Sequence, residues 1–381
     1  MNKRKSIMIL IPQLNFGGMA KVASHIVGVL SKKVNITIVL VNSTLEIREK
    51  TYGADIKRLQ GNPITKLIQL RRFIRDNNFD DIVSFGTIDN ILNVLLRKAS
   101  SRVILTEHSV KSFENVIEKK RYKKYLYGWL IKLLYPKADV VVAVSSGIAD
   151  DLAESFNVKS NVKVIYNPVF ISNQQQTLNE DEYKLIRNIR NLGGKILVNV
   201  GRVTDAKGQY NLVRSMKYLP SNMHLLIIGE GDDAERVKRL VSEERLTDRV
   251  HFLGYKTNVS AWMEVSDRYV SMSWFEGFPT VFIESIKSGT PVVSADVYAG
   301  PREILSNGFM HDYGVKIDYP KVLQNGVLSN RFNFTKVNNT GMDEAEKAFA
   351  NSVIASFDYE FNLDYSFLNI TDVRESYLEI L

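Results

Sequence analysis

The chain has 381 residues, more than the roughly 250–300 at which one hydrophobic core stops growing, so two domains are expected. Its composition, 45% hydrophobic and 24% charged with no low-complexity tract, excludes a disordered or fibrous protein. The absence of cysteine excludes disulfides, thiolate metal sites and cysteine nucleophiles together and fits a reducing compartment. The net charge of +8 divides unevenly: residues 1–170 carry 27 Lys and Arg against 14 Asp and Glu, the remainder 23 against 28, so the first half is the part expected to seek an anionic partner.

The N-terminus, MNKRKSIMILIPQ, has a basic start but only five apolar residues before Pro12 and Gln13. That is too short for a signal-peptide core and predicts a first buried strand over 6–12. Further apolar, β-branched runs follow at 36–41, 81–85, 102–107, 139–145 and 162–168, with amphipathic helical stretches between them at 20–32 and 64–76. Continuous apolar strands alternating with helices predict a parallel sheet covered on both faces. The longest apolar stretch, Tyr125 to Tyr135, is interrupted by Lys132 and falls short of the ~18 residues of a spanning helix. A cytosolic protein, or one held at a membrane from its surface, is expected.

After Pro168 the chain turns polar, with SNQQQTLNEDE over 172–182, and the alternation restarts at 195–201, 224–231, 250–255, 268–273 and 291–296. A domain over 1–168, a linker over 169–194 and a second domain over 195–370 are expected, with 371–381 a terminal helix that returns to the first domain. Both domains are expected to be doubly wound. Ligands bind such sheets at the carboxyl ends of the strands, and two of them facing each other form a cleft.

Two segments carry chemistry. In GRVTDAKGQYNLVRSM (201–216) a strand ends at Gly201 and a helix begins near Gly208 or Gln209, placing Arg202 and Lys207 beside a helix N-terminus. Two cations there can neutralise a diphosphate without a metal; an ordinary solvated basic loop accounts for the same residues. In SWFEGFPTVFIESIKSGTPVV (273–293) the loop Glu276-Gly277-Phe278-Pro279-Thr280 opens a helix of about ten residues that closes at Gly289. Glu284 lies about two turns on from Glu276, so both carboxylates can face one strand-end crevice. A helix cap at Glu276 and a backbone-satisfying Glu284 are the structural alternatives.

The ordered set NFGGMAKVASHIVGVL (15–30), TEHSV (106–110), VVAVSSGIADDL (141–152), VIYNPV (164–169), the Arg202/Lys207 loop, HLLIIGEG, the Glu276–Glu284 element and GTPVVSADVYAGPREIL resembles glycosyltransferase family 4 over nearly the whole chain. The resemblance implies an α/β protein of the GT-B kind, with two Rossmann-like doubly wound domains facing across a cleft. Arg202 and Lys207 resemble the family's diphosphate-binding pair, Glu284 the glutamate on the nucleotide ribose and Glu276 the one near the donor sugar's hydroxyls. Backbone groups at Gly277, Phe278, Pro279 and Thr280 would line the sugar and phosphate. Gly17 and Gly18 resemble the glycine loop that admits backbone to the phosphates, and His108 the histidine that reaches the transferred sugar. Trp274-Phe275 stands where the family often has Pro or Ser, and residues 320–365 match nothing in the family.

The same resemblance implies retaining transfer from a UDP-sugar, and the absence of any Asp-x-Asp agrees with a metal-free site. Whether Glu276 orients the sugar or acts as nucleophile stays open. For the acceptor, residues 116–137 mix seven cations with Tyr122, Tyr125, Tyr127, Trp129 and Tyr135. That suits anionic lipid headgroups; a solvated helix with a packed inner face is the alternative. Arg71, Arg72 and Arg75 extend the patch, and no nucleic-acid motif accompanies the charge. A peripheral position at the inner face of a cell membrane follows, with an undecaprenyl-diphosphate-linked or lipopolysaccharide-type acceptor. GPREIL (300–305) resembles bacterial surface-polysaccharide transferases, some of which move galactose- or N-acetylhexosamine-type sugars. A dinucleotide-dependent dehydrogenase would need G-x-G-x-x-G after the first strand, where PQLNFGGMA stands. A UDP-sugar epimerase of the GT-B type and a non-catalytic sugar-nucleotide-binding relative remain as alternatives.

Overall fold

The computed structural model describes residues 4–15, 17–42, 46–117, 121–169, 176–331 and 342–381. The chain divides into two compact units, Met1–Phe170 with Leu368–Leu381, and Ile171–Phe367.

The first unit runs β1 (Ser6–Ile11), α1 (Gly18–Leu30), β2 (Asn35–Leu40), β3 (Asp55–Arg58), α2 (Pro63–Asp76), β4 (Asp81–Phe85), α3 (Thr87–Leu95), β5 (Arg102–Glu107), α4 (Lys111–Ile117), α5 (Arg121–Leu134), β6 (Val140–Ala143), α6 (Ser146–Phe156) and β7 (Val162–Val164). Its strands form one parallel sheet in the order β3-β2-β1-β4-β5-β6-β7. Strand β1 shows why the apolar runs are continuous: Ile7, Ile9 and Ile11 enter a core with α1 on one face, while Met8 and Leu10 enter another with Leu70 and Ile74 of α2. A strand buried on both faces has no polar side to show.

The second unit runs α7 (Glu180–Asn191), β8 (Lys195–Val200), α8 (Gln209–Ser215), β9 (Met223–Ile228), α9 (Ala234–Glu243), β10 (Val250–Gly254), α10 (Val259–Glu264), β11 (Arg268–Ser271), α11 (Thr280–Lys287), β12 (Val292–Ala295), α12 (Pro301–Leu305), β13 (Lys321–Leu323), β14 (Gly326–Ser329) and α13 (Met342–Ser356). The strand order is β10-β9-β8-β11-β12-β14-β13, parallel throughout except for the final hairpin. In each sheet the order reverses between the first strand of the unit and the fourth, β1 and β4 in one and β8 and β11 in the other, the point at which doubly wound sheets take their ligands.

Every strand expected from the sequence is present, and three more appear. Strand β3 is a charged, largely exposed edge strand with no apolar run to announce it. The β13–β14 hairpin falls in the stretch 320–365 left unassigned; Gly326 to Ser329 are buried against β12. Residues 332–341 of that stretch lie outside the described residues. The polar region expected as linker contains α7, opened by a capping box in which the Asn179 side chain accepts from Glu182 N–H and the Glu182 carboxylate accepts from Asn179 N–H. Its residues 170–175 lie outside the described set.

A last helix, α14 (Ile370–Ile380), belongs to the first unit. Val373, Tyr377, Ile380 and Leu381 join the α1 side of that core. Tyr377 is 1% exposed and its hydroxyl has no hydrogen-bond partner among the described residues. Tyr377→Ala is expected to cost about 3–5 kcal/mol in the unfolding of this unit, whereas Tyr377→Phe removes an orphaned polar group and leaves stability unchanged or raised. Urea unfolding of the two variants checks both.

Candidate active site

Strand β8 leaves the second sheet at Gly201 into a tight loop, 202–208, held from three sides. Gln209, 1% exposed, accepts from Thr204 N–H at 3.3 Å and donates to the Arg202 carbonyl at 3.2 Å and to Asn199 Oδ1 at 3.3 Å. Asn199 donates onward to the Val270 carbonyl at 2.7 Å, tying the loop to the neighbouring strand β11. Asp205 N–H donates to Asp233 at 2.8 Å. Gly208, at φ +65, starts α8 so close to β11 that an added Cβ would lie 1.9 Å from the Met272 carbonyl oxygen, so only glycine fits.

The loop after β11 docks onto this one. Trp274 N–H donates to the Ala206 carbonyl at 2.8 Å and its indole N–H donates to Asn211 Oδ1 of α8 at 3.1 Å. The tryptophan that departs from the family pattern thus staples the two loops. Glu276 follows, 9% exposed, and both its oxygens accept from Lys207 Nζ, at 2.7 and 2.8 Å. Lys207 is itself about one third exposed. Gly277, Phe278 and Pro279 are buried, with Gly300 packed against them, and Thr280 is the first residue of α11. The helix runs to Lys287, slightly shorter than expected, and turns at Gly289.

Glu284 is half-buried in α11, and its charge reaches Tyr269 together with that of Glu276. Burial first, and then the charges of these two carboxylates, push the Tyr269 phenol well above its usual range while its hydroxyl donates to the Val200 carbonyl at 3.0 Å. Arg202 is exposed at the β8 exit. Arg202, Lys207, Glu276, Glu284 and the backbone of 277–280 are therefore gathered at the carboxyl ends of β8 and β11, adjacent strands at the point where strand order reverses. This edge offers an exposed guanidinium and a partly exposed ammonium to an anion, and two carboxylates to hydroxyl donors.

The first unit brings its own residues to the carboxyl edge of its sheet. Gly17, at φ 104 and ψ 162, precedes α1, and Gly18 opens it. A Cβ on Gly18 would meet nothing within 4 Å, so no internal contact requires this glycine. His108 follows β5 with its ring stacked on Phe85 at 5.3 Å and Nε2 3.0 Å from Thr106 Oγ1. Thr106 spends its own proton on the Ser84 carbonyl at 2.8 Å, so its oxygen accepts from His108 Nε2–H and the lone pair resides on Nδ1. Burial, and then the Lys111 cation, hold the imidazole pKa far below its usual value, so the ring is neutral.

Beneath His108 lies a polar network the sequence did not announce. Lys111, 5% exposed, bridges Glu107 at 2.9 Å and Glu114 at 2.7 Å, and Tyr135 donates to Glu107 at 2.9 Å. Tyr135 is thereby removed from the expected membrane-facing aromatics: it is fully buried because its hydroxyl serves Glu107. Tyr125, Leu126, Trp129 and Leu133 of α5 do expose their side chains, and Tyr127 is half-buried. Glu118, Lys119 and Lys120 and the side chains of 115–117 and 121–124 lie outside the described residues, so of the cations in that segment only Lys132 and Lys137 can be placed, both exposed. Arg71, Arg72 and Arg75 are exposed on α2, and Arg75 pairs with Asp76 at 2.9 Å. No described helix is long and apolar enough to cross a membrane.

Residues 16–172 match the family described as Glycosyltransferase Family 4, and residues 183–327 the one described as Glycosyl transferases group 1. The N-acetylgalactosamine-N,N'-diacetylbacillosaminyl-diphospho-undecaprenol 4-alpha-N-acetylgalactosaminyltransferase of Campylobacter jejuni is 27% identical over 78% of this chain and 83% of its own length. The amylovoran biosynthesis glycosyltransferase AmsD of Erwinia amylovora is 26% identical over 81% of this chain and 86% of its own. In fold, HepE of Anabaena, solved with UDP-glucose, superposes with a TM-score of 0.71 over 98% of both chains at 18% identity.

The amide of Gln209 was missed in the sequence because a buried glutamine has no pattern of its own. Gln209→Leu would strand the Arg202 carbonyl, Asn199 Oδ1 and the Thr204 N–H. A loss of about 1–3 kcal/mol in the unfolding of the second unit is expected; denaturant titration of the variant against the wild type checks it.

Proposed function

The chain belongs to the family 4 glycosyltransferases of GT-B fold, and we propose that it transfers a hexose or N-acetylhexosamine from a UDP-sugar, with retention of anomeric configuration, to a lipid-linked glycan during bacterial surface-polysaccharide synthesis. The observation that carries this reading is the joining of Lys207 to Glu276 across the β8 and β11 loops, with Arg202 and Glu284 on the same edge. A diphosphate placed there takes Arg202 and the remaining N–H of Lys207 as charge-assisted donors. These offset the charge that grows on the leaving UDP without a metal. The ribose hydroxyls fall to Glu284 and the sugar hydroxyls to Glu276, which Lys207 holds in place. We assign Glu276 an orienting role and the deprotonation of the acceptor to the leaving phosphate on the same face. Gly17 and Gly18 would admit the phosphates to backbone N–H groups, and neutral His108 would hydrogen-bond the transferred sugar.

The basic first unit, and relatives named for a diphospho-undecaprenol compound and for amylovoran biosynthesis, support a reading of the acceptor. We propose an undecaprenyl-diphosphate-linked or lipopolysaccharide-type acceptor, met at an anionic membrane surface on the cytoplasmic side through the exposed α5 side chains Tyr125, Trp129 and Leu133 with Lys132 and the α2 arginines.

A panel of UDP-sugars with lipid-linked acceptors, read by product linkage and anomeric NMR, tests transfer and retention together. Arg202→Ala is expected to weaken UDP binding by about 1.5–3 kcal/mol, roughly 10- to 100-fold in Kd by calorimetry. Glu276→Ala should lower transfer on the order of 10²-fold or more while UDP still binds. A glycosyl ester trapped on Glu276 would overturn the orienting role, and a protein that binds no UDP would overturn the whole reading.

A further inference from the structure

A buried carboxylate oxygen in the first unit has no hydrogen-bond partner among the described residues. Asp89 lies in the first turn of α3, past the turn at Gly86 that ends β4. It is 2% exposed, and its Oδ2 has no hydrogen-bond partner among the described residues. The other buried acids of this unit are engaged. Glu107 holds Lys111 and Tyr135, Asp151 accepts from Ser112 N–H and Ser155, and Asp81 faces Lys5 and Arg102 at 3.7 Å. An unpaired carboxylate kept out of water opposes folding, and burial alone drives the Asp89 pKa up to about 7. A group retained against that cost calls for a ligand that relieves it.

Its place in the sheet says which ligand. Strand β4 lies between β1 and β5, so α3 begins between the Gly17–Gly18 loop and His108. His108 stacks on Phe85, the last residue of β4, and Met19 of α1 lies 3.6 Å from where a Gly86 Cβ would be. The same edge holds two more acceptors: Asn15 Oδ1 after β1, buried with no partner among the described residues, and the Nδ1 lone pair of His108. A phosphate, itself an acceptor, brings this set no donor. A ligand that brings donors, such as a row of sugar hydroxyls, is matched by it.

We propose that Asp89 is a substrate-binding residue, accepting a hydrogen bond from a carbohydrate hydroxyl at the carboxyl edge of the first sheet, with Asn15 and His108 as neighbouring acceptors. The inference rests on the glycosyltransferase reading and adds to it a residue that the family resemblance did not supply. The hydroxyl belongs either to the acceptor glycan or to the sugar being transferred, and kinetics separate the two.

Asp89→Asn keeps the shape and removes the charge. Relieved of an orphaned carboxylate, the variant should melt at or above the wild-type temperature, bind UDP with unchanged Kd, and transfer with kcat/KM lowered at least tenfold. A rise confined to the acceptor KM assigns the hydroxyl to the acceptor. A rise in donor KM, with slower hydrolysis of the UDP-sugar in the absence of acceptor, assigns it to the transferred sugar. Wild-type kinetics in Asp89→Asn would overturn the proposal, as would a lowered melting temperature, because the carboxylate would then be serving the fold. Wild-type protein that binds no UDP brings down the glycosyltransferase reading and this inference together; an unaffected Asp89→Asn variant of an active enzyme brings down this inference alone.

Discussion

The pairing of Lys207 with Glu276 is the interaction on which the second unit's edge depends, because it joins loops that leave different strands. Neither partner is fully exposed, and the carboxylate is the more buried of the two. A carboxylate at that depth needs its counterion, and both oxygens find it on one ammonium. The pair therefore constrains more than charge: wherever the β8 loop goes, the Glu276–Thr280 loop goes with it. Gln209, Asn199 and Trp274 repeat the same connection with neutral hydrogen bonds, so the geometry of the edge does not rest on a single ionic contact.

In the first unit the organising polar group is a buried lysine rather than a surface one. Lys111 sits between Glu107 and Glu114 and leaves the three side chains with one net negative charge, shared with Tyr135 and Ser109. Such clusters contribute little net stability compared with apolar packing, but they admit few alternative arrangements. Glu107 and Lys111 flank His108 in sequence, so the cluster fixes the backbone from which the imidazole projects, while Thr106 fixes its tautomer. Position and protonation state of one ring are set by two separate sets of contacts.

Much of this was legible in the sequence, for reasons that also explain what was not. Two-sided burial makes the central strands apolar at most positions, so β1, β6 and β8 declare themselves. Glycines at loop exits and a Glu–Gly–Phe–Pro–Thr turn before a helix are equally visible, since few other residues satisfy those backbones. Strand β3 is invisible because an edge strand of Asp, Ile, Lys and Arg buries almost nothing. The α7 helix hid in a polar stretch, although Asn179 and Glu182 at capping-box spacing announce it. Tyr135 was mistaken for a surface aromatic because composition does not reveal which face of a helix its neighbours leave open. Gln209 and Asn199 depend on partners more than 60 residues away along the chain or on a single carbonyl, and no local pattern encodes those.

The two sheets end in edges of opposite chemical character. At β8 and β11 the Glu276 carboxylate has been given a cation, and the Arg202 guanidinium stands exposed after β8. After β1 and β4 the acceptor oxygens Asn15 Oδ1 and Asp89 Oδ2 stand without donors among the described residues. A fold selected for stability alone would pair or remove such groups, as the first unit does with Glu107 and Asp151. In the proposed reading the missing donors arrive with a substrate, and hydroxyl groups are donors that neither bring charge into the edge nor need a counterion once bound. The basic character of the first unit resides elsewhere, on the exposed faces of α2 and α5. The proposed affinity for an anionic surface and the proposed recognition of a neutral sugar therefore rest on separate residues.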